Sequence, residues 1–231
     1  MEYGGEGSQP AMEPAPSRGA PEPVATRRRR VVLAGHRSDH GEASAALNDP
    51  HPAVRAAALG ALARLGALDD GVVREALEDP DPSVRRRACT VAGRTPDPWR
   101  RERLVPAVLA ATADPEPSVV ESAAWALGEL GPGADGTVVA ALARLVAGHP
   151  SPACREAAVA ALGAIGAPDS LAVVLSALDD TPAIRRRTAV ALAGFDDPRA
   201  EEGLRRCLAD RDWQVRQAAE DLLGENLPAE P

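Results

Sequence analysis

Asp49-Pro-His-Pro-Ala-Val-Arg55 decides the fold, because it returns along the chain in altered form. The later copies are Asp79-Pro-Asp-Pro-Ser-Val-Arg85, Asp114-Pro-Glu-Pro-Ser-Val-Val120, His149-Pro-Ser-Pro-Ala-Cys-Arg155, Asp179-Asp-Thr-Pro-Ala-Ile-Arg185 and Asp210-Arg-Asp-Trp-Gln-Val-Arg216. Their last residues are spaced by 30, 35, 35, 30 and 31 positions. A period of that size holds two helices and marks a solenoid, in which each unit is one helix pair stacked on its neighbours.

The turn carries the start signal of the second helix of each pair. Pro52, Pro82, Pro117, Pro152 and Pro182 stand where a first helical residue belongs, since proline lacks only an N–H that has no partner there. Of the residues before them, Asp81, Ser151 and Thr181 are expected N-caps. Gly66, Gly131 and Gly166 suit left-handed C-caps. First helices are expected to begin near Asp69, Asp97-Pro98, Asp135, Asp169 and Asp197-Pro198. With Val54 as position zero, positions zero, four, eight and eleven are Val54, Ala58, Leu62 and Leu65; in the fourth unit they are Cys154, Ala158, Leu162 and Ile165. At 100° per residue each set makes one apolar stripe, which a single unit cannot bury alone.

The rest of the sequence agrees. The chain has 231 residues, with 45% hydrophobic but only 2% aromatic, and 48 of the residues are alanine. Alanine favours helix, whereas strands draw on aromatic and β-branched residues, so a strand-rich domain is excluded. Residues 1–25, rich in Gly, Pro, Glu and Ser, are expected to be a disordered tail. A basic capping segment is expected over 26–38, the solenoid over 39–226 and a short tail over 227–231. Three scattered cysteines, Cys89, Cys154 and Cys207, oppose a disulfide framework, and no apolar run reaches membrane length; a cytoplasmic protein is expected.

The Asp-x-x-Pro-x-Val-Arg turn, followed by an Ala-rich helix and Leu-Gly as in Val54 to Gly66, resembles the short bacterial HEAT-like repeats of the phycobilin-lyase type. The resemblance covers about residues 38–225. It implies an all-α, right-handed α-solenoid of about six helix-turn-helix repeats, whose second helices line the concave side and bind other macromolecules. It also leaves open a lyase-type enzyme subunit or chaperone as an alternative function.

The acids and arginines of the turns form the first candidate set. Val120 lacks the arginine in the third unit and His149 lacks the aspartate in the fourth. These two losses cancel in one broken rung if each arginine pairs with the aspartate of the next unit; pairing within a unit would orphan Asp114 and Arg155, and a buried orphan charge is costly. The expected structural ladder is therefore Arg55–Asp79, Arg85–Asp114, Arg155–Asp179 and Arg185–Asp210.

The second set lies opposite the apolar stripe. Arg86, Arg87, Glu121, Trp125, Glu156, Arg186 and Arg187 are the expected partner-binding residues. This ridge is mixed in sign, and the chain after residue 40 carries 29 acids against 20 bases. A nucleic-acid groove needs a continuous basic track, so nucleic acid is disfavoured and a protein partner expected. Trp125 has two readings, an exposed binding anchor or a ring laid over small neighbours such as Ala160. Trp99 and Trp213, at helix starts, are expected packing plugs. Arg27-Arg28-Arg29-Arg30 is expected to open a capping helix. No catalytic, cofactor-binding or metal-ligating motif is found: Gly-x-Gly-x-x-Gly, Gly-x-Ser-x-Gly and His-Glu pairs are missing, and His36, His40, His51 and His149 are scattered.

Overall fold

The computed structural model describes residues 22–131 and 136–224. Of the expected tails, 1–25 and 227–231, residues 1–21 and 227–231 lie outside the described residues. Thirteen α-helices and no strands are present among the described residues. The helices are α1 (Val24–Ala34), α2 (His40–Ala45), α3 (Pro52–Arg64), α4 (Asp70–Leu77), α5 (Pro82–Gly93), α6 (Pro98–Ala110), α7 (Pro117–Leu130), α8 (Gly136–Gly148), α9 (Pro152–Ile165), α10 (Leu171–Ser176), α11 (Pro182–Leu192), α12 (Pro198–Cys207) and α13 (Trp213–Leu223). Six pairs follow the period, from α2–α3 to α12–α13. α1 precedes them and stacks on α3, so it occupies a place in the row of second helices. That row runs α1, α3, α5, α7, α9, α11, α13, each packed on the next; first helices such as α4 and α6 pack together in a second row. None of these helices is long and apolar enough to cross a membrane.

The proline turns start the helices as the residue pattern requires, with Pro52, Pro82, Pro117, Pro152 and Pro182 each first in a helix. The capping expectation needs correction. Asp81 does accept the Ser83 N–H at 2.9 Å, but Ser151 and Thr181 make no cap bond. His51 caps instead, its Nδ1 accepting the Ala53 N–H at 3.2 Å. Gly166 ends α9 in the left-handed region at φ 64°, donating its N–H to Leu162. α1 begins at Val24, two residues before the expected capping segment.

The stripe residues Val54, Ala58, Leu62, Cys154, Ala158 and Leu162 are buried in one continuous core. Small residues let the second helices approach closely. A Cβ on Gly93, Gly128 or Gly163 would lie 2.9, 2.9 or 2.6 Å from the Cα of Ala126, Ala161 or Ala191 on the next helix. The Ala-rich composition thus works through close backbone contact where a core of larger side chains would need more space. Trp99 and Trp213 are 71% and 64% exposed, so they are not plugs. Each stands in the first turn of its helix on the solvent side.

Candidate functional site

Two arginine sets stand on different faces of the second helices, and their surroundings differ. In the ladder, Arg55 donates from Nε and Nη2 to both carboxylate oxygens of Asp79 at 2.8 and 2.7 Å. Its Nη1 donates to the Asp49 carbonyl of its own turn at 3.0 Å. Arg85 repeats this with Asp114 at 2.7 and 2.8 Å, and Arg185 with Asp210 at 2.8 and 2.7 Å. The carboxylates also accept a turn N–H, as Asp114 does from Glu116 at 2.9 Å. Each rung therefore joins two units with a planar, two-pronged ion pair while fixing the turn on both sides. Hydrogen bonds from Arg85 hold the Asp114 carboxyl below its ordinary range, and those from Arg185 hold Asp210 down to about 2.

One expected rung is corrected. Arg155 pairs with Asp180, at 2.7 and 2.9 Å, and not with Asp179. In the first and third units a 3-10 turn ends at residue 48 or 113, and the rung aspartate is the first extended residue after it. Here the 3-10 turn runs through Asp179, so Asp180 takes that place. Asp179 faces Arg206 at 2.5 Å. One rung has no counterpart in the sequence expectation: Arg27 of α1 grips Asp49 at 2.8 and 3.0 Å. Its separation of 22 residues is close to the 24 between Arg55 and Asp79, which was the available signal. Across the broken rung, Val120 is buried, and His149 Nδ1 accepts the Ser151 N–H at 3.2 Å in place of an aspartate oxygen.

The second set lines two adjoining grooves along the second helices, which share Thr90 and Ser122. The first, of about 550 Å³, is lined by Arg94, Glu121, Trp125, Glu129, Glu156 and Arg187, over a floor of alanines that includes Ala157 and Ala160. Trp125 is half-buried and sits between its two sequence readings. Its ring covers Gly93 of α5, where a Cβ would lie 2.9 Å from Cζ3, and the Arg94 guanidinium stands 5.8 Å from the ring centroid. Arg187 meets Glu156 at 3.4 Å. The second groove, of about 620 Å³, holds Arg28, Arg64, Arg86 and Arg87. Arg186 is exposed on α11 and lines neither groove. The four-arginine run is divided: Arg27 enters the ladder, Arg28 the groove, and Arg30 pairs with Glu22 and Glu42. All three cysteines are buried and free; burial pushes the Cys89 thiol up to about 12, which removes thiolate chemistry there.

The chain belongs to the HEAT-repeat family. Its "HEAT repeats" profile matches residues 70–145 and 133–193, and the single "HEAT repeat" profile matches 44–68. No curated protein matches the chain. Among solved structures it is similar to YibA of Escherichia coli, at 17% identity and a TM-score of 0.64, over 88% of this chain and 77% of that one. It is also similar to the CpcE–CpcF complex of phycocyanin lyase from Nostoc sp. PCC7120, at 23% identity and a TM-score of 0.59, over 93% and 81%. A third is a designed armadillo repeat protein in complex with a (KR)4 peptide, at 14% identity and a TM-score of 0.54, over 88% and 99%. At these identities the likeness establishes the repeat-solenoid fold alone.

Proposed function

We propose that the protein is a non-catalytic scaffold or adaptor that holds a protein partner on the concave face formed by its second helices. The observation that supports this most is the pair of grooves continuous through Thr90 and Ser122, because they present charge and one half-exposed indole on a floor of small residues. Indole and guanidinium groups in a partly desolvated setting are the usual anchors of protein interfaces. Arg86, Arg87, Glu121, Trp125, Glu156 and Arg187 are the proposed contacts, with Arg186 at the margin. The rigid row of second helices, fixed by the ladder on its other side, holds these groups in place before a partner arrives, which lowers the entropy lost on binding.

The lyase-type alternative draws support only from the likeness of fold. It requires a chromophore, which an absorbance spectrum of the purified protein would reveal. The direct test is a pull-down from source-cell lysate with the wild-type chain and with Trp125→Ala/Glu121→Lys. A stoichiometric protein lost in the variant, with the helical circular dichroism spectrum unchanged, is the expected result. A partner retained equally by both would overturn the assignment of this face.

A further inference from the structure

We infer that the groove across α1, α3 and α5 is a binding site for an acidic, extended peptide segment of the partner. The inference rests on the reading of this face as the binding surface and names the chemistry it selects.

Arg28, Arg64, Arg86 and Arg87 line the groove, and no acidic residue lines it, although the chain as a whole carries a formal charge of −8. Elsewhere on the protein most arginines meet an acid. Five serve the ladder, and Arg30, Arg100, Arg103, Arg187, Arg199, Arg205 and Arg206 each have a carboxylate within an ion-pair distance. Among the described residues the four groove side chains have no ion pair and no hydrogen bond to a carboxylate. Such a concentration of like charge destabilises a surface unless a ligand neutralises it.

Arg87 shows that the site is shaped as well as charged. Its guanidinium lies against the backbone of α3 at Gly60, where a Cβ would come 2.0 Å from Nη2. The residue is half-buried, and burial together with the charges of Arg94, Arg64 and Arg86 pushes its guanidinium below its ordinary value. The place of Gly60 is taken by Thr90 on α5, Trp125 on α7 and Ala160 on α9, and that of Arg87 by Ser122 on α7 and Ala157 on α9, so an arginine seated on a glycine is particular to α3 and α5. The floor is Ala53, Ala56 and Ala57, over which a main chain can lie close.

The dimensions favour a peptide over a nucleic acid. Three neighbouring helices at 8–10 Å between axes span about 20 Å. That length takes about six residues of extended chain at ~3.3 Å each. A phosphodiester strand that continued past Thr90 would meet Glu121, Glu129 and Glu156 in the adjoining groove, whereas a peptide can change its side chains there.

The test uses the full chain and fluorescence anisotropy at about 50 mM salt, where exposed charges are weakly screened. The probe is a labelled eight-residue peptide of alternating Glu and Ser. The comparisons are its Lys-for-Glu counterpart and a single-stranded oligodeoxynucleotide of similar length. The acidic peptide is expected to bind at least tenfold tighter than either comparison. Arg86→Glu and Arg87→Met should each weaken it at least tenfold, and Gly60→Ala, which keeps every charge but displaces Arg87, severalfold. Arg205→Glu, on the far row, should leave it unchanged. Absence of acidic-peptide binding would overturn the inference, as would equal loss in Arg205→Glu or tighter binding of the oligonucleotide. The proposed function would survive that failure if the lysate partner were still lost with Trp125→Ala/Glu121→Lys.

Discussion

Arg85 and Arg86 are neighbours in sequence and opposite in circumstance. Arg85 is mostly buried in a rung, with Asp114 on one edge and the Asp79 carbonyl on another. Arg86 is exposed in a groove that contains no acid. The two stand one residue apart on α5, so a rotation of 100° separates a group that stabilises the stack from one free to meet a ligand. The difference teaches that arginine content alone says little about this surface. What matters is whether a neighbouring helix supplies a carboxylate: Arg85 has Asp114, and the groove around Arg86 has none.

Acid should separate the two regions most strongly. Asp114, Asp180 and Asp210 are held below their ordinary range chiefly by hydrogen bonds from Arg85, Arg155 and Arg185. A carboxylate depressed in the folded state adds stability above its unfolded pKa of roughly 4, and that stability is lost as pH falls through the folded value. The ladder is thus intact at neutral pH and fails between about pH 4 and the value of about 2 set by Asp210. Thermal unfolding followed by circular dichroism should show a drop in Tm across this window larger than that of any single substitution below. A Tm that is flat from pH 5 to pH 2 would remove the ladder from the stability of the stack.

Single substitutions come next. Arg85→Ala leaves Asp114 half-enclosed without its partner and is expected to cost about 3 kcal/mol, in the range for breaking a buried pair. Arg86→Ala, one residue on, should change stability by less than about 0.5 kcal/mol. Urea titrations of both would read the contrast directly, and equal costs would abolish it.

The turn motif made the stack, the period and the direction of the rungs readable, because all three depend on residue types at fixed spacing. The register of the fifth turn was not. Asp179 and Asp180 stand side by side, and only the end of the 3-10 turn, one residue nearer to Pro182 than its counterpart is to Pro52, decides that Asp180 meets Arg155. Arg27 reads as part of a charge run in the sequence, because α1 bears no copy of the turn that would mark it as a member of the second-helix row. In the grooves the residue types were readable, but whether each charge finds a partner was not. Glu156 meets Arg187 from a helix 31 residues away, while Arg87 lies against Gly60 with the charges of Arg94, Arg64 and Arg86 acting on it.

The broken rung offers a smaller effect of the same kind. Val120→Arg alone buries a charge with no carboxylate opposite, and His149→Asp alone adds a carboxylate with no arginine opposite. Together they rebuild the geometry seen on either side. A double-mutant cycle is expected to give a favourable coupling of about 1–2 kcal/mol, even though Val120→Arg by itself is destabilising. A coupling near zero would mean that the backbone here has settled around the buried valine and no longer places the two positions as the other rungs do.

The smallest effect on stability is expected at Arg87, and its sign matters more than its size. A half-buried guanidinium with no carboxylate loses hydration, and three like charges add repulsion. Methionine keeps a flexible stem of similar length over Gly60 and removes both penalties. Arg87→Met should therefore be neutral or stabilising by up to about 0.5 kcal/mol, while its affinity for the acidic peptide falls. Residues retained against stability are those whose interactions are completed by something outside the folded chain. A loss of more than about 1 kcal/mol in Arg87→Met would place this side chain with Arg85 as a structural group, and the distinction between the two faces of α5 would no longer hold.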